Sequence, residues 1–163
     1  VTENLLSHSN DRTRRLQIAV LGPFDDEMPY SINRTLPAIL LAVRTIERQS
    51  IENRHQWLGG WEHGVQIYYR NTNCSSTLGP LAAFDFYTTS SVDVFLGPVC
   101  PYVLAPVARY SSIWSLPVLT TGGQEESFDH KDGYRSLIRM NGSYLQVGLL
   151  FVEVRHLQKT CLN

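Results

Sequence analysis

Phe95-Leu-Gly-Pro-Val-Cys-Pro-Tyr102 is the stretch that decides the fold. Val92, Val94, Phe95 and Leu96 form a short apolar run of the kind that fills the middle of a parallel sheet. The run stops at Gly97-Pro98, and Pro101 stands where the first turn of a helix tolerates it. Val103, Val107, Tyr110 and Ile113 or Trp114 then recur at helical spacing. At that helix start, Gly97 and the backbone around Val99 and Cys100 are expected to point free N–H groups outward, where the dipole favours an anion. A second cysteine, Cys74, holds the equivalent place one unit earlier, after strand-like residues 65–69 and before a helix opening at 75–80. In a parallel sheet both turns fall on one edge, so the two thiols can meet. Their pairing would close a loop of about 25 residues and contribute roughly 3.5 kcal/mol in the chain-entropy model.

Outward from this unit the pattern repeats. Residues 1–14 are polar and aperiodic and read as a loose N-terminal arm. Residues 16–21 make the first strand, stopped by Gly22-Pro23 and the acidic loop Asp25-Asp26-Glu27. Ile32, Leu36, Ile39 or Leu40, Val43 and Ile46 mark the first helix, with Thr35 as the expected N-cap before Pro37. A polar loop holding Trp57-Leu-Gly-Gly-Trp61 leads to the second strand, and Leu78, Leu81, Ala82 and Phe86 carry the second helix. Residues 116–121 form a fourth strand closed by Gly122-Gly123. A charged loop (124–133) precedes an extended segment at 136–140. Tyr144, Val147, Phe151 and Val154 define a last amphipathic helix. Strands alternating with helices predict an α/β fold built on a doubly wound parallel sheet.

Composition narrows the function classes. The chain has 163 residues, enough for one domain with a real core, and a formal net charge of -1. That balance gives no electrostatic case for nucleic acid or an anionic membrane, and no apolar run is long enough to span a bilayer. The opening at Val1 reads as a mature form or a fragment. Three sequons, at Asn33, Asn73 and Asn141, fit a secretory route to the extracellular space, with Asn33 and Asn141 the expected carriers. Cys161 is left without a partner.

Enzyme signatures are missing. There is no phosphate loop, nucleophile elbow, paired-His zinc motif or G-x-G-x-x-G after the first strand, and no cofactor is expected from these motifs. His8, His55, His63, His130 and His156 show no ligand spacing. Asp129-His130-Lys131-Asp132 reads as solvated loop rather than an acid/base cluster. Gly122-Gly123 sits where open α/β sheets bind ligands, and reads equally as a plain turn. Arg12-Thr-Arg-Arg15 reads as a solvated basic arm more readily than as a processing site.

The block Phe95-Leu-Gly-Pro-Val-Cys-Pro-Tyr-Val-Leu-Ala-Pro-Val-Ala-Arg109, followed by Trp114-Ser-Leu-Pro-Val-Leu-Thr-Thr-Gly122, resembles the membrane-distal lobe of the natriuretic peptide receptors. Phe128-Asp-His-Lys-Asp132 and Ser143-Tyr144 extend the similarity, which runs from about Leu16 to Phe151. The resemblance implies the type I periplasmic-binding-protein fold, with two lobes, a chloride, and a peptide hormone captured between two ectodomains of a homodimer. It implies that Cys74 and Cys100 form the family's first disulfide. Chloride would lie near Gly97 and Cys100, with the Thr72 hydroxyl as third contact, and Tyr102 and Arg109 would serve dimerisation or hormone contact. It also divides the chain into an arm (1–14), the membrane-distal lobe (15–142), and the first helix of a second lobe with a divergent tail (143–163) that would account for Cys161. Departures are the bulkier Pro101, Val103 and Leu104, and a shorter loop before Cys74.

The function expected is therefore the extracellular ligand-binding lobe of a peptide-hormone receptor that signals, at full length, through cyclic GMP. No catalytic domain is expected in this chain. The alternative is a small-molecule sensor lobe of the same fold, with Thr120-Thr121-Gly122 holding an amino-acid-like ligand.

Overall fold

The computed structural model describes residues 15–53, 64–90 and 92–161. Along the chain run β1 (Leu16–Gly22), α1 (Ile32–Asn53), β2 (Val65–Asn71), α2 (Leu78–Asp85), β3 (Val94–Leu96), α3 (Pro101–Trp114), β4 (Val118–Thr120), β5 (Leu137–Arg139) and α4 (Tyr144–Cys161). A π-helical stretch, Phe86–Ser90, extends α2, and a 3-10 turn, Glu126–Asp129, lies between β4 and β5. The sheet order is β2-β1-β3-β4-β5 with every pair parallel, so the doubly wound α/β class read from the sequence is what forms. The winding of the chain across the sheet reverses after β2, so that β1 and β3 flank the switch point. With right-handed crossovers this puts α1 on one face and α2 with α3 on the other.

The period of two along each strand sorts side chains between those faces. Ala19, Phe95, Val118 and Leu137 lie side by side in register, and all four are buried. They meet Ala83 and Phe86 from the α2 segment and Val103, Leu104, Val107 and Ala108 from α3 in one continuous core. Trp114 closes this core against a ring cluster, stacking on Tyr87 at 4.4 Å between centroids. Phe128 and Tyr134, from the β4–β5 connection, cover its far end.

Three local expectations are corrected. Thr35 does not cap α1. The helix begins at Ile32 because the Ser31 carbonyl already accepts the N–H groups of Arg34 and Thr35, and the Thr35 hydroxyl donates to the same oxygen at 3.0 Å. In α2 the buried face is Gly79, Pro80 and Ala83, while Leu78 and Leu81 stand in solvent. The cause is the approach of α3: a Cβ on Gly79 would collide with the Val103 side chain, so only the glycine face can meet it. In α3 the seam is Val103, Leu104, Val107, Ala108 and Ser111, which turns Ile113 outward. The N-terminal arm and the Trp57–Trp61 loop, along with His8, His55 and His63, lie outside the described residues.

Candidate functional site

All five strands end on one edge, and the residues singled out in the sequence gather there. Gly22 closes β1, and its carbonyl accepts the Thr72 N–H at 2.8 Å just past the end of β2. The loop after Thr72 turns sharply, with Asn73 and Cys74 both at positive φ (48° and 47°), and Ser75 starts α2 by accepting the N–H groups of Thr77 and Leu78. Cys74 is joined to Cys100, as expected, with 5.7 Å between Cα atoms. The bridge ties the start of α2 to the start of α3. Met28 and Tyr30, from the β1–α1 loop, lie against its two sulfurs.

The turn between β3 and α3 is held from below. Gly97 has φ of 86°, and a Cβ there would collide with the Leu21 carbonyl oxygen, so glycine is required. Its N–H donates to the Leu119 carbonyl at 2.7 Å. That corrects one detail of the anion expectation: Gly97 spends its donor on the sheet and offers none outward. The N–H groups of Val99 and Cys100, by contrast, form no hydrogen bond among the described residues. Pro101 then occupies the first position of α3, with Cys100 as N-cap.

Thr120 has a structural task that the sequence reading did not assign to it. Its hydroxyl donates to the Pro98 carbonyl at 2.7 Å and accepts the Gly122 N–H at 2.9 Å. Gly122 itself lies against the Val99 carbonyl, where no Cβ fits. The Thr120–Gly122 corner is thus a brace for the α3 start, which engages the Thr120 hydroxyl and the Gly122 N–H. The brace reaches across 22 residues, so no neighbouring residue in the sequence signals it.

Thr72 answers differently. Its hydroxyl oxygen is fully buried and has no hydrogen-bond partner. Leaving such a group unmatched costs about 1–3 kcal/mol, so an oxygen in this position implies something that accepts its proton. It sits two residues from Cys74, on the loop that the disulfide pins to the α3 start.

Beside this edge, on the α1 face, an apolar cleft of about 270 Å³ is lined by residues including Val20, Tyr30, Ile32, Ile39, Leu119 and Met140. Tyr102 and Arg109, seven residues apart on α3, both face solvent, Tyr102 with 78% of its surface exposed. The Arg109 guanidinium lies 5.4 Å from the centre of the Tyr134 ring. In the charged loop, Asp129 is no free acid: it pairs with Arg139, which also donates to the Gly123 carbonyl at 2.9 Å.

The three sequon asparagines differ sharply. Asn33, in the first turn of α1, donates its amide to the Phe24 carbonyl at 3.2 Å and to Asp26 at 3.0 Å. Asn141 donates once, to the Thr121 carbonyl at 2.9 Å. The Asn73 side chain is exposed and makes no hydrogen bond among the described residues.

Comparison with known proteins follows this geometry closely. The model of the receptor family ligand binding region matches residues 34–154. Atrial natriuretic peptide receptor 3 of Bos taurus is 35% identical over 153 residues, covering 89% of this chain and 27% of the receptor. Atrial natriuretic peptide receptor 2 of Homo sapiens is 43% identical over 143 residues, covering 86% of this chain and 13% of the receptor. The chain thus spans about a quarter or less of the length of these relatives. Among solved structures, an ABC transporter substrate-binding protein from Desulfitobacterium hafniense superposes with a TM-score of 0.62 at 19% identity, covering 80% of this chain and 35% of the other. The branched-chain amino acid binding protein LivJ from Streptococcus pneumoniae, in complex with isoleucine, gives 0.56 at 9% identity, covering 80% and 34%. At such identities these two speak for the fold, that of the type I periplasmic binding proteins.

Proposed function

We infer the function from kinship: the chain belongs to the family of receptor ligand-binding regions, and we propose that it is the membrane-distal lobe of an extracellular peptide-hormone receptor. The observation that carries this is 43% identity to a natriuretic peptide receptor across 86% of the chain, disulfide turn included. The proposal extends to a ringed peptide hormone as ligand, to a homodimer in the full receptor, and to cyclic GMP as that receptor's output. Tyr102 and Arg109 are the contact residues proposed on α3, supported by their shared solvent face. Among the described residues no helix is long and apolar enough to cross a membrane.

A chloride is proposed at the start of α3. The buried, unpartnered Thr72 hydroxyl and the two open N–H groups of Val99 and Cys100 make a donor set suited to a halide, at the positive end of a 14-residue helix. Gly97 is left out of that set. The ion would stabilise the edge by satisfying the three donors together. Melting the protein in chloride and in gluconate at equal ionic strength tests it: a higher midpoint in chloride is expected, and lost on Thr72→Val. Coincident curves would remove the ion from the proposal.

The peptide reading is tested by nuclear magnetic resonance titration of the isotope-labelled chain. A disulfide-ringed natriuretic peptide should shift signals of α3 around Tyr102 and Arg109, and weakly, because one lobe offers part of a shared surface. Leucine or isoleucine should shift nothing near Thr120–Gly122, whose polar groups bond each other. The reverse pattern would replace the hormone receptor by the small-molecule sensor.

A further inference from the structure

We propose that Asn73, rather than Asn33, carries an N-linked glycan. The proposal rests on the extracellular reading above and asks what the fold allows at each sequon. An N-glycan replaces one of the two amide hydrogens of asparagine, so a chain modified at an amide that donates both in the fold loses a bond on folding and is under-represented among secreted molecules. Asn33 is such an amide. It clamps the Phe24–Asp26 loop to the first turn of α1 through two hydrogen bonds, and the third residue of its sequon, Thr35, is folded into the same turn.

Asn73 has the opposite surroundings. Its side chain is exposed and donates to nothing among the described residues, and its backbone stands at φ 48°, a conformation asparagine tolerates better than most residues. The sequon Asn73-Cys74-Ser75 has a cysteine in the middle, which would block transfer once oxidised. Its partner Cys100 follows 26 residues later, so the sequon enters the secretory lumen before the bridge can close. The donor class is a lipid-linked pyrophosphate oligosaccharide. The Asn73 Nδ2 forms a bond to the anomeric carbon of the sugar as the bond from that carbon to the phosphate oxygen breaks. One amide proton leaves to a base of the transferase, and the lipid pyrophosphate departs. The glycan would then project from the edge between α2 and α3, beside the disulfide.

The test is expression of the full chain behind a secretory signal in mammalian cells, followed by peptide-N-glycosidase digestion in heavy-oxygen water and peptide mapping. The deamidation mark is expected at position 73, several-fold more often than at position 33. Asn73→Asp, which keeps the turn and removes the acceptor, should shorten the glycosylated ladder by one step. Asn33→Asp should leave the ladder unchanged. Where the Asn73→Asp variant is not secreted, translation with microsomes reads the transfer at Asn73 on the nascent chain, before the bridge closes. An unmarked position 73, or equal marking at 33, overturns the proposal and leaves the receptor reading untouched. A marked position 73 in a chain that ignores ringed peptides would do the converse.

Discussion

Two rows of side chains cross this sheet, one on each face, and they meet very different surroundings. Tyr68, Ala19, Phe95, Val118 and Leu137 face α2 and α3, and four of the five are wholly buried. Tyr69, Val20, Leu96, Leu119 and Ile138 face the α1 side, where only Val20 is buried and the row ends at 51% and 52% exposure at Tyr69 and Ile138. The same strands and equally apolar residues make one finished core and one open surface. Helix coverage makes the difference: two helices brought close by Gly79 on one face, a single helix on the other. The lobe's stability lives on the α2–α3 face, and the α1 face is free to serve as a surface.

The largest effect should come from the finished face. Phe95→Ala removes a wholly buried ring from its centre and should cost about 3–5 kcal/mol, a large part of the ~5–15 kcal/mol typical of a whole domain. Ile138→Ala, on the neighbouring strand but the open face, should change stability by no more than about 0.5 kcal/mol. Urea unfolding of both variants reads the contrast. Equal costs would mean that the α1 face is covered after all.

Next comes the disulfide, which sits on the edge both faces share. Replacing Cys74 and Cys100 together by serine should cost roughly 3.5 kcal/mol through the freed loop of the unfolded chain. Peptide mapping without reductant should first find the two joined in secreted protein. Thr120→Val is the smaller step. It cuts the brace between β4 and the α3 turn and strands the Pro98 carbonyl and the Gly122 N–H, for about 1–3 kcal/mol. A change confined to amides of residues 97–101 is expected by heteronuclear spectra. A uniform loss across the sheet would assign Thr120 to the core instead.

The contrast between the faces also marks how far the sequence could be read. The parallel α/β class followed from strands alternating with helices and from short apolar runs such as residues 94–96, whereas the strand order did not. The cysteine pair followed from two matching turns on one edge. What failed were the faces of α2 and α3. Leu78, Leu81 and Ile113 have the right spacing, yet Gly79 lets α3 come so close that the small residues, rather than the large ones, define the seam. Helical periodicity weighs apolarity and is blind to close approach. Within the site, Cys100 was legible from its turn and Thr72 was named only through the family resemblance, whereas the Gly97 donor was lost to the sheet because strand pairing runs one residue further than the apolar run. The Thr120 brace depends on a side-chain bond across 22 residues, which no local pattern reports.

Among the described residues the least stable part should be α4, and the comparison of faces says why. Every described side chain from Tyr144 to Arg155 is exposed, including Leu145, Leu149, Leu150, Phe151 and Val152. The helix is attached at its beginning by the Tyr144 N–H on the Gln124 carbonyl at 3.0 Å, and Ser143 caps the first turn. A helix of this length without tertiary packing is marginal in water, and an apolar surface this continuous favours self-association. Amide exchange should therefore show residues 147–155 opening with a free energy near zero, while Phe95 and Leu96 exchange only with global unfolding. Truncation after Gly142 should leave the unfolding free energy of the lobe within about 0.5 kcal/mol of the full chain and reduce aggregation. Protection in α4 matching that of β3, in a monomer at low concentration, would show that the helix docks on the open face beside Leu119 and Ile138, and the two faces would no longer differ.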